Sequence, residues 1–234
     1  MLNRTLDTTR RAYQAALDIL FPPRCVVCNS GSDWLCATCR RNIIPLTQPW
    51  CPRCLIAGPT GALCETCRGA EVALDGLVAV GAHDGVLRTA ILAFKYGNRP
   101  PLAAALSSLI VEAAAQQPLA ATLVMPVPSH PRRVAQRGYD HTHLLASRVA
   151  ASLGLPYNPT SLARVRFTPP QVGRTAQERH ANVADAFKTV PLLGQPRILL
   201  VDDVYTSGST MRACATELLA NGAAGVMGAV VARA

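Results

Sequence analysis

The run Arg197-Ile198-Leu199-Leu200-Val201-Asp202-Asp203-Val204-Tyr205-Thr206-Ser207-Gly208-Ser209-Thr210 constrains this chain more than any other feature. Its opening apolar stretch predicts a strand over 197–201 that is buried on both faces, as strands of parallel sheets are. Ligands of open α/β sheets sit at the carboxyl ends of strands, and here that end carries two adjacent acids. The hydroxyl residues around Gly208 predict the start of a helix over 208–221. Free backbone N–H groups and the helix dipole hold phosphate at such a start. Carboxylates suited to ribose hydroxyls, set beside a phosphate cradle, point to a sugar phosphate. A plain strand and capped helix would explain one loop hydroxyl, but not paired acids together with Thr206, Ser207, Ser209 and Thr210. A Walker-type phosphate loop is excluded, because it needs a lysine before its last hydroxyl residue and Gly208 is followed by Ser209-Thr210-Met211.

Eight of the nine cysteines form four C-x-x-C pairs: Cys25/Cys28, Cys36/Cys39, Cys51/Cys54 and Cys64/Cys67. Two-residue spacing lets both thiolates of a turn reach one tetrahedral ion. The eight thiolates therefore predict two structural Zn²⁺ sites of four cysteines each. Disulfides are the competing reading, and they are rare in the reducing cytosol. Pairing in sequence order is the simpler choice, while spacing alone leaves an interleaved pairing open. Closed all-thiolate sites offer no open coordination position, so they serve folding rather than catalysis. Trp34, Trp50, Arg40, Arg41, Arg53 and Arg68 share this region, which suits binding of nucleic acid or protein as well as a ribbon that packs on the next domain. Cys214 falls inside the predicted 208–221 helix and reads as a small core residue.

A formal net charge of +9 falls to about +5 once two four-thiolate zinc sites are counted. Among the basic residues only Lys95 and Lys188 are lysine; arginine offers a planar fork that grips phosphate. Eight arginines lie between Arg132 and Arg179 against the acids Asp140 and Glu178. Such a basic face can hold pyrophosphate or track a nucleic-acid backbone. No apolar stretch is long enough for a membrane span. Asp7, Arg10 and Arg11 fall where a secretory segment would be apolar, so a cytoplasmic location is expected. Leu6, Tyr13, Leu17 and Leu20 give residues 3–20 a helical period, ended by Pro22-Pro23.

Beyond the cysteines the pattern alternates strands and helices, which predicts a mostly parallel sheet. Strands are expected over 74–83, 122–127, 162–165 and 225–232. Helices are expected over 86–94, from 100 to 116, over 140–153 and over 175–183, with Gly97 as a C-cap. Two domains are expected, 1–72 around the cysteines and 73–234 around the sheet. The turn after Val127 carries Ser129, His130, Arg132, Arg133 and Arg137, a second phosphate-binding loop of the kind pyrophosphate would need. His130 is an acid/base candidate by residue type only. The polar stretch 166–174 is either a closing loop or an exposed basic connector.

The segment Asp202 to Thr210 resembles the 5-phosphoribosyl-1-pyrophosphate (PRPP) motif of type I phosphoribosyltransferases. That resemblance implies Asp202 and Asp203 at the ribose, Thr206, Ser207, Gly208, Ser209 and Thr210 at the 5-phosphate, and Mg²⁺ bound with PRPP. The wider order is similar to the ComF/GntX family over nearly the full length. It comprises the doubled C-x-x-C ribbon, Lys95-Tyr96, Pro126-Val127-Pro128, Arg137-Gly138-Tyr139-Asp140-His141, Arg179 to Val183, Val201 to Thr206 and Ala232-Arg233. It implies a type I phosphoribosyltransferase fold behind a double zinc ribbon, in a protein linked to DNA uptake. An enzyme consuming PRPP is one expectation. A module that binds single-stranded DNA without turnover is another, and a scaffold docking a helicase of the uptake machinery a third.

Overall fold

The computed structural model describes residues 23–46, 50–57, 62–69, 74–166 and 186–234. The expected helices over 3–20 and 175–183, the stretch 167–174 and the motif from Arg179 to Val183 lie outside these residues. In chain order the elements are α1 (Ala37–Arg41), α2 (Glu65–Gly69), β1 (Gly76–Ala82), α3 (Gly85–Tyr96), α4 (Leu102–Ala114), β2 (Leu123–Pro126), α5 (Pro131–Arg137), α6 (His141–Leu153), β3 (Leu162–Arg164), β4 (Phe187–Thr189), β5 (Arg197–Tyr205), α7 (Ser209–Ala220) and β6 (Gly225–Arg233).

Four strands form a parallel sheet in the order β1-β6-β5-β2. Tyr157 adds a parallel bridge to Val124 on the outer side of β2. The expected sheet is thus present, because Ile198 to Val201 and Val226 to Ala232 supply residues that can be buried on either face. On one face α3, α4 and α6 cover the sheet, with Leu87, Ile91, Phe94, Leu106, Ile110 and Leu145 fully buried. On the other, α7 and the antiparallel β3–β4 pair close a second cluster around Leu200, Phe187 and Leu218.

The cysteine ribbons straddle the sheet. Cys25, Leu35 and Cys39 join the first cluster, whereas Cys51, Cys54, Leu55 and Cys67 join the second. The segment between them crosses the end of β1, where Ala82 donates its N–H to Ile44 O at 2.9 Å. That approach requires Gly81, since a Cβ there would lie 2.4 Å from Ile44 O. No helix among the described residues is long and apolar enough to cross a membrane.

Two local expectations change. The strand predicted over 197–201 runs on to Tyr205, because β6 pairs with it as far as Tyr205 opposite Arg233. The turn after Val127 contains helix α5, started by Pro131, capped by the His130 side chain and ended by left-handed Gly138. Gly97 is the C-cap of α3 as expected, donating its N–H to Ala93 O, and the left-handed residue is the next one, Asn98, with φ of 50°.

Candidate functional site

The site opens where the sheet splits. Pairing of β5 with β2 ends at Val201 opposite Pro126, and Val127 then donates its N–H to Val201 O at 2.8 Å. Beyond that point, among the described residues, β5 keeps only β6 as a partner, and the next residues are Asp202 and Asp203. A cleft of about 440 Å³ forms there. Asp202, Asp203, Thr206 and Thr210 line it, as do Ser129, His130, Arg133 and Arg137 from the neighbouring loop and α5. Lys95, Tyr96, His141 and Arg164 also reach it, from three other elements.

Strand alternation sends the two acids to opposite faces of the sheet. Asp203 turns toward α3 and α6 and is 3% exposed. Its Oδ2 lies 2.7 Å from Lys95 Nζ and 3.2 Å from His141 Nε2. Burial alone would raise its pKa, but Lys95 and His141 outweigh burial and hold the carboxyl well below the usual range. Lys95 answers in kind: burial opposes its charge, yet Asp203 and then Asp202 keep its ammonium above the ordinary value. The half-buried Asp202 turns toward α7. Burial first, then the charge of Asp203, push its carboxyl up. The Asp203 N–H donates to Asp202 Oδ1 at 2.8 Å. Two acids that look alike in the sequence are therefore chemically unequal: one is a locked anion, the other holds protons more readily.

His141 is the first residue of α6. Asp140 caps that helix, accepting the N–H groups of Thr142 and His143 at 3.1 and 3.2 Å. Arg137 Nη1 lies 2.6 Å from His141 Nδ1. The ring therefore bridges Asp203 through Nε2 and Arg137 through Nδ1. Arg137, His141, Asp203 and Lys95 thus form one continuous polar line across the cleft floor.

The loop follows β5 directly. Gly208 has φ of 75° and precedes α7. A Cβ at Gly208 would lie 2.0 Å from Tyr205 Oη, so glycine is required for space as well as conformation. Ser207 and Ser209 hydroxyls meet at 3.0 Å, while Thr206 and Thr210 face the cleft.

On the neighbouring side the expected residues divide. His130 Nδ1 accepts the Arg132 N–H at 3.1 Å, so the ring serves as a helix cap. Slight desolvation, then Arg164, Arg132 and Arg133, keep its pKa below the ordinary value. The Ser129 hydroxyl donates to Asp140 Oδ1 at 3.2 Å and so buttresses α6. Arg133 and Arg137 reach the cleft, and Arg132 is not among its lining residues. The residue-level reading missed Lys95, His141 and Arg164 as site residues. Lys95 and His141 stood in the sequence pattern, but without chemistry attached.

The cysteines gather in sequence order. Cys25, Cys28, Cys36 and Cys39 bring their sulfurs within 4.8 Å of one another, and so do Cys51, Cys54, Cys64 and Cys67. The Cys28–Cys36 and Cys54–Cys64 sulfur separations are 3.7 and 3.6 Å. A tetrahedral ion with about 2.3 Å bonds to sulfur has edges of about 3.8 Å, whereas a disulfide is about 2.05 Å long. The donor set thus fits Zn²⁺ and resolves the pairing left open by spacing. The two knuckles repeat: Asn29 and Leu55, each just after a second cysteine, take φ of 58° and 56°. Each donates its N–H back to the first cysteine carbonyl, at 2.8 and 2.9 Å. Burial would raise the Cys25 and Cys51 thiols, but surrounding backbone N–H groups bring both down to about 6. Burial and neighbouring thiols push Cys39 up to about 12. Four thiolates at one point need a dication among them.

Comparison with known proteins places these features. Residues 16–68 match the double zinc ribbon domain family. The chain is 32% identical to the DNA utilization protein YhgH of Salmonella typhi over 216 residues, covering 88% of this chain and 94% of that protein. It is 28% identical to competence protein F of Haemophilus influenzae over 201 residues, covering 80% and 87%. Among solved structures it is similar to the glutamine PRPP amidotransferase from B. subtilis complexed with ADP and GMP, with a TM-score of 0.41 and 23% identity over 58% of this chain and 30% of that one. It is also similar to orotate phosphoribosyltransferase from Aeropyrum pernix, with a TM-score of 0.35 and 16% identity over 58% and 73%.

Proposed function

The chain belongs to the ComF family, which includes competence protein F and the DNA utilization protein YhgH, and on that footing we propose that its cleft binds the ribose 5-phosphate group of PRPP in a phosphoribosyltransferase-like protein of DNA uptake. One observation carries this reading. The paired acids emerge just where β5 loses β2, and the Thr206–Thr210 loop starts α7 at the same end of the same strand.

In this reading the backbone N–H groups and hydroxyls of Thr206 to Thr210 take the 5-phosphate. Asp202, the acid not committed to a lysine, accepts the ribose hydroxyls. Asp203 contributes mainly by fixing Lys95 and His141. Lys95, Arg133 and Arg137 supply positive charge on the side where pyrophosphate lies. His141, Asp202 and Asp203 offer ligand atoms within 4.8 Å of one another. Lys95 already neutralises Asp203, so Asp202 is the carboxylate that would hold Mg²⁺ arriving with PRPP, and the ion would supply further charge stabilisation. Displacement at the anomeric carbon forms a bond to an incoming nucleophile and breaks the bond to pyrophosphate, which leaves with the electron pair. Cations fixed beforehand around that leaving group would lower the barrier.

A second reading, binding of single-stranded DNA without turnover, is favoured by the surroundings of α3. Arg99 lies 5.3 Å from the Trp34 ring centre and Arg137 5.3 Å from that of Tyr96, which is 73% exposed. Arg24, Asn29, Trp34 and Arg99 line a cleft of about 560 Å³ beside the first ribbon. Arginine and aromatic faces together suit splayed bases and phosphates.

Calorimetry with PRPP–Mg²⁺ tests the first reading, on the wild type and on Asp202→Ala/Asp203→Ala, followed by pyrophosphate release with candidate acceptors. Binding by the wild type alone supports it, and no binding by the wild type overturns it. Salt-dependent binding of single-stranded DNA that survives both substitutions supports the second.

A further inference from the structure

The two zinc sites differ in what they touch. The first packs against α3 and α4, in the cluster that contains Leu87 and Leu106. The second packs under the phosphate loop. Arg233, near the end of β6, donates from Nε to Cys54 O at 3.0 Å. Its guanidinium lies 5.5 Å from the centre of the Tyr205 ring. The Tyr205 hydroxyl accepts from Arg212 Nη1 at 3.2 Å, and Arg212 belongs to the first turn of α7. The same ring fills the space that a Cβ at Gly208 would need. Tyr205, Met211 and Cys214 share one apolar cluster with Cys51, Cys54, Leu55 and Cys67. Among the described residues, no hydrogen bond or ring contact joins the first site to this loop.

We propose that the second four-cysteine site sets the shape of the anion-binding loop through Arg233 and Tyr205, so that ligand binding there requires the second zinc and not the first. The metal fixes the Cys51–Cys54 knuckle, in which Leu55 is held at φ of 56°. The knuckle fixes the Cys54 carbonyl, which orients Arg233. Arg233 holds the Tyr205 ring against Gly208, and the ring dictates the path of residues 206–209. Arg233 and Tyr205 are positioning residues, since neither lines the cleft. The consequence for ligand binding rests on the loop's proposed role as a phosphate cradle; the consequence for loop order does not.

Four variants and two readouts test this on the full-length chain, purified with zinc. Arg233→Met should keep both zinc ions, yet speed amide exchange over 206–210 about tenfold and weaken ribose 5-phosphate binding about tenfold, as loss of an outer-sphere support does. Arg233→Lys, which retains a cation and a donor for Cys54 O, should recover most of both. Cys51→Ser/Cys54→Ser should match or exceed Arg233→Met, while Cys25→Ser/Cys28→Ser should leave exchange over 206–210 near the wild-type rate. Unchanged exchange in Arg233→Met, or equal effects from disrupting either site, would overturn the proposal. Altered exchange in a protein whose wild type binds no ribose 5-phosphate would uphold the coupling and reject the phosphate-cradle reading instead.

Discussion

Lys95 Nζ and Asp203 Oδ2 meet at 2.7 Å across the floor of the cleft, where the aspartate side chain is 4% exposed and the lysine 20%. This pair, with His141 on the second side of the carboxylate, makes Asp203 a fixed anion. Removing either partner strands a charge in a poorly solvated place. Lys95→Met or Asp203→Asn should each destabilise the protein by about 3 kcal/mol at neutral pH, measured by urea unfolding.

The same pair sets a dependence on acid. The Asp203 carboxyl lies below its ordinary value in the folded chain. Its contribution is therefore complete above the unfolded carboxylate range and is lost as pH falls through the folded value. The stability gap between wild type and Asp203→Asn should be widest near neutrality and should narrow below about pH 4. Unfolding curves across that range check this.

Gly208→Ala combines a left-handed backbone with a Cβ placed 2.0 Å from Tyr205 Oη. The backbone term costs about 1 to 2 kcal/mol, and overpacking against a buried ring adds about as much. The variant should melt several degrees lower and lose most phosphate affinity, while zinc content stays unchanged.

Asp140→Ala removes the cap of α6, which costs about 1 kcal/mol. Because His141 is the next residue, the larger effect should be functional. Ligand affinity should fall by more than the stability loss accounts for, as a binding titration beside a thermal melt would show.

Zinc should be present at two ions per chain, and the sites should release it at different rates. Cys28 is exposed, while Cys51, Cys54 and Cys67 are all buried. A chelator with a chromogenic readout should remove one equivalent quickly and the second slowly, and Cys28→Ser should abolish the fast phase.

The sequence made the loop after β5 and the cysteine sites legible because both are local. Asp202 to Thr210 is one unbroken run, and each C-x-x-C pair is a single turn. What it hid depends on elements far apart in the chain. Lys95 on α3 and His141 on α6 converge on Asp203 only because both helices pack on the same face of the sheet. The unequal chemistry of Asp202 and Asp203 stayed hidden because the strand was expected to end at Val201; only its continuation to Tyr205 brings period-two alternation to the acids. The helix within 131–137 was masked by its arginines, which read as a phosphate loop although Pro131 and Gly138 bracket it as start and stop. The ribbon beneath Tyr205 could not be foreseen, since the Arg233 contact to Cys54 spans 179 positions.

The central claim is that the end of β5 holds a ribose 5-phosphate. A phosphorus NMR titration of ribose 5-phosphate against the zinc-loaded chain tests it most directly. The account predicts a saturable, one-to-one shift of the phosphate resonance, weakened about tenfold or more by Asp202→Ala and by Gly208→Ala. A resonance that does not move for the wild type, or that moves equally for all three proteins, would contradict it.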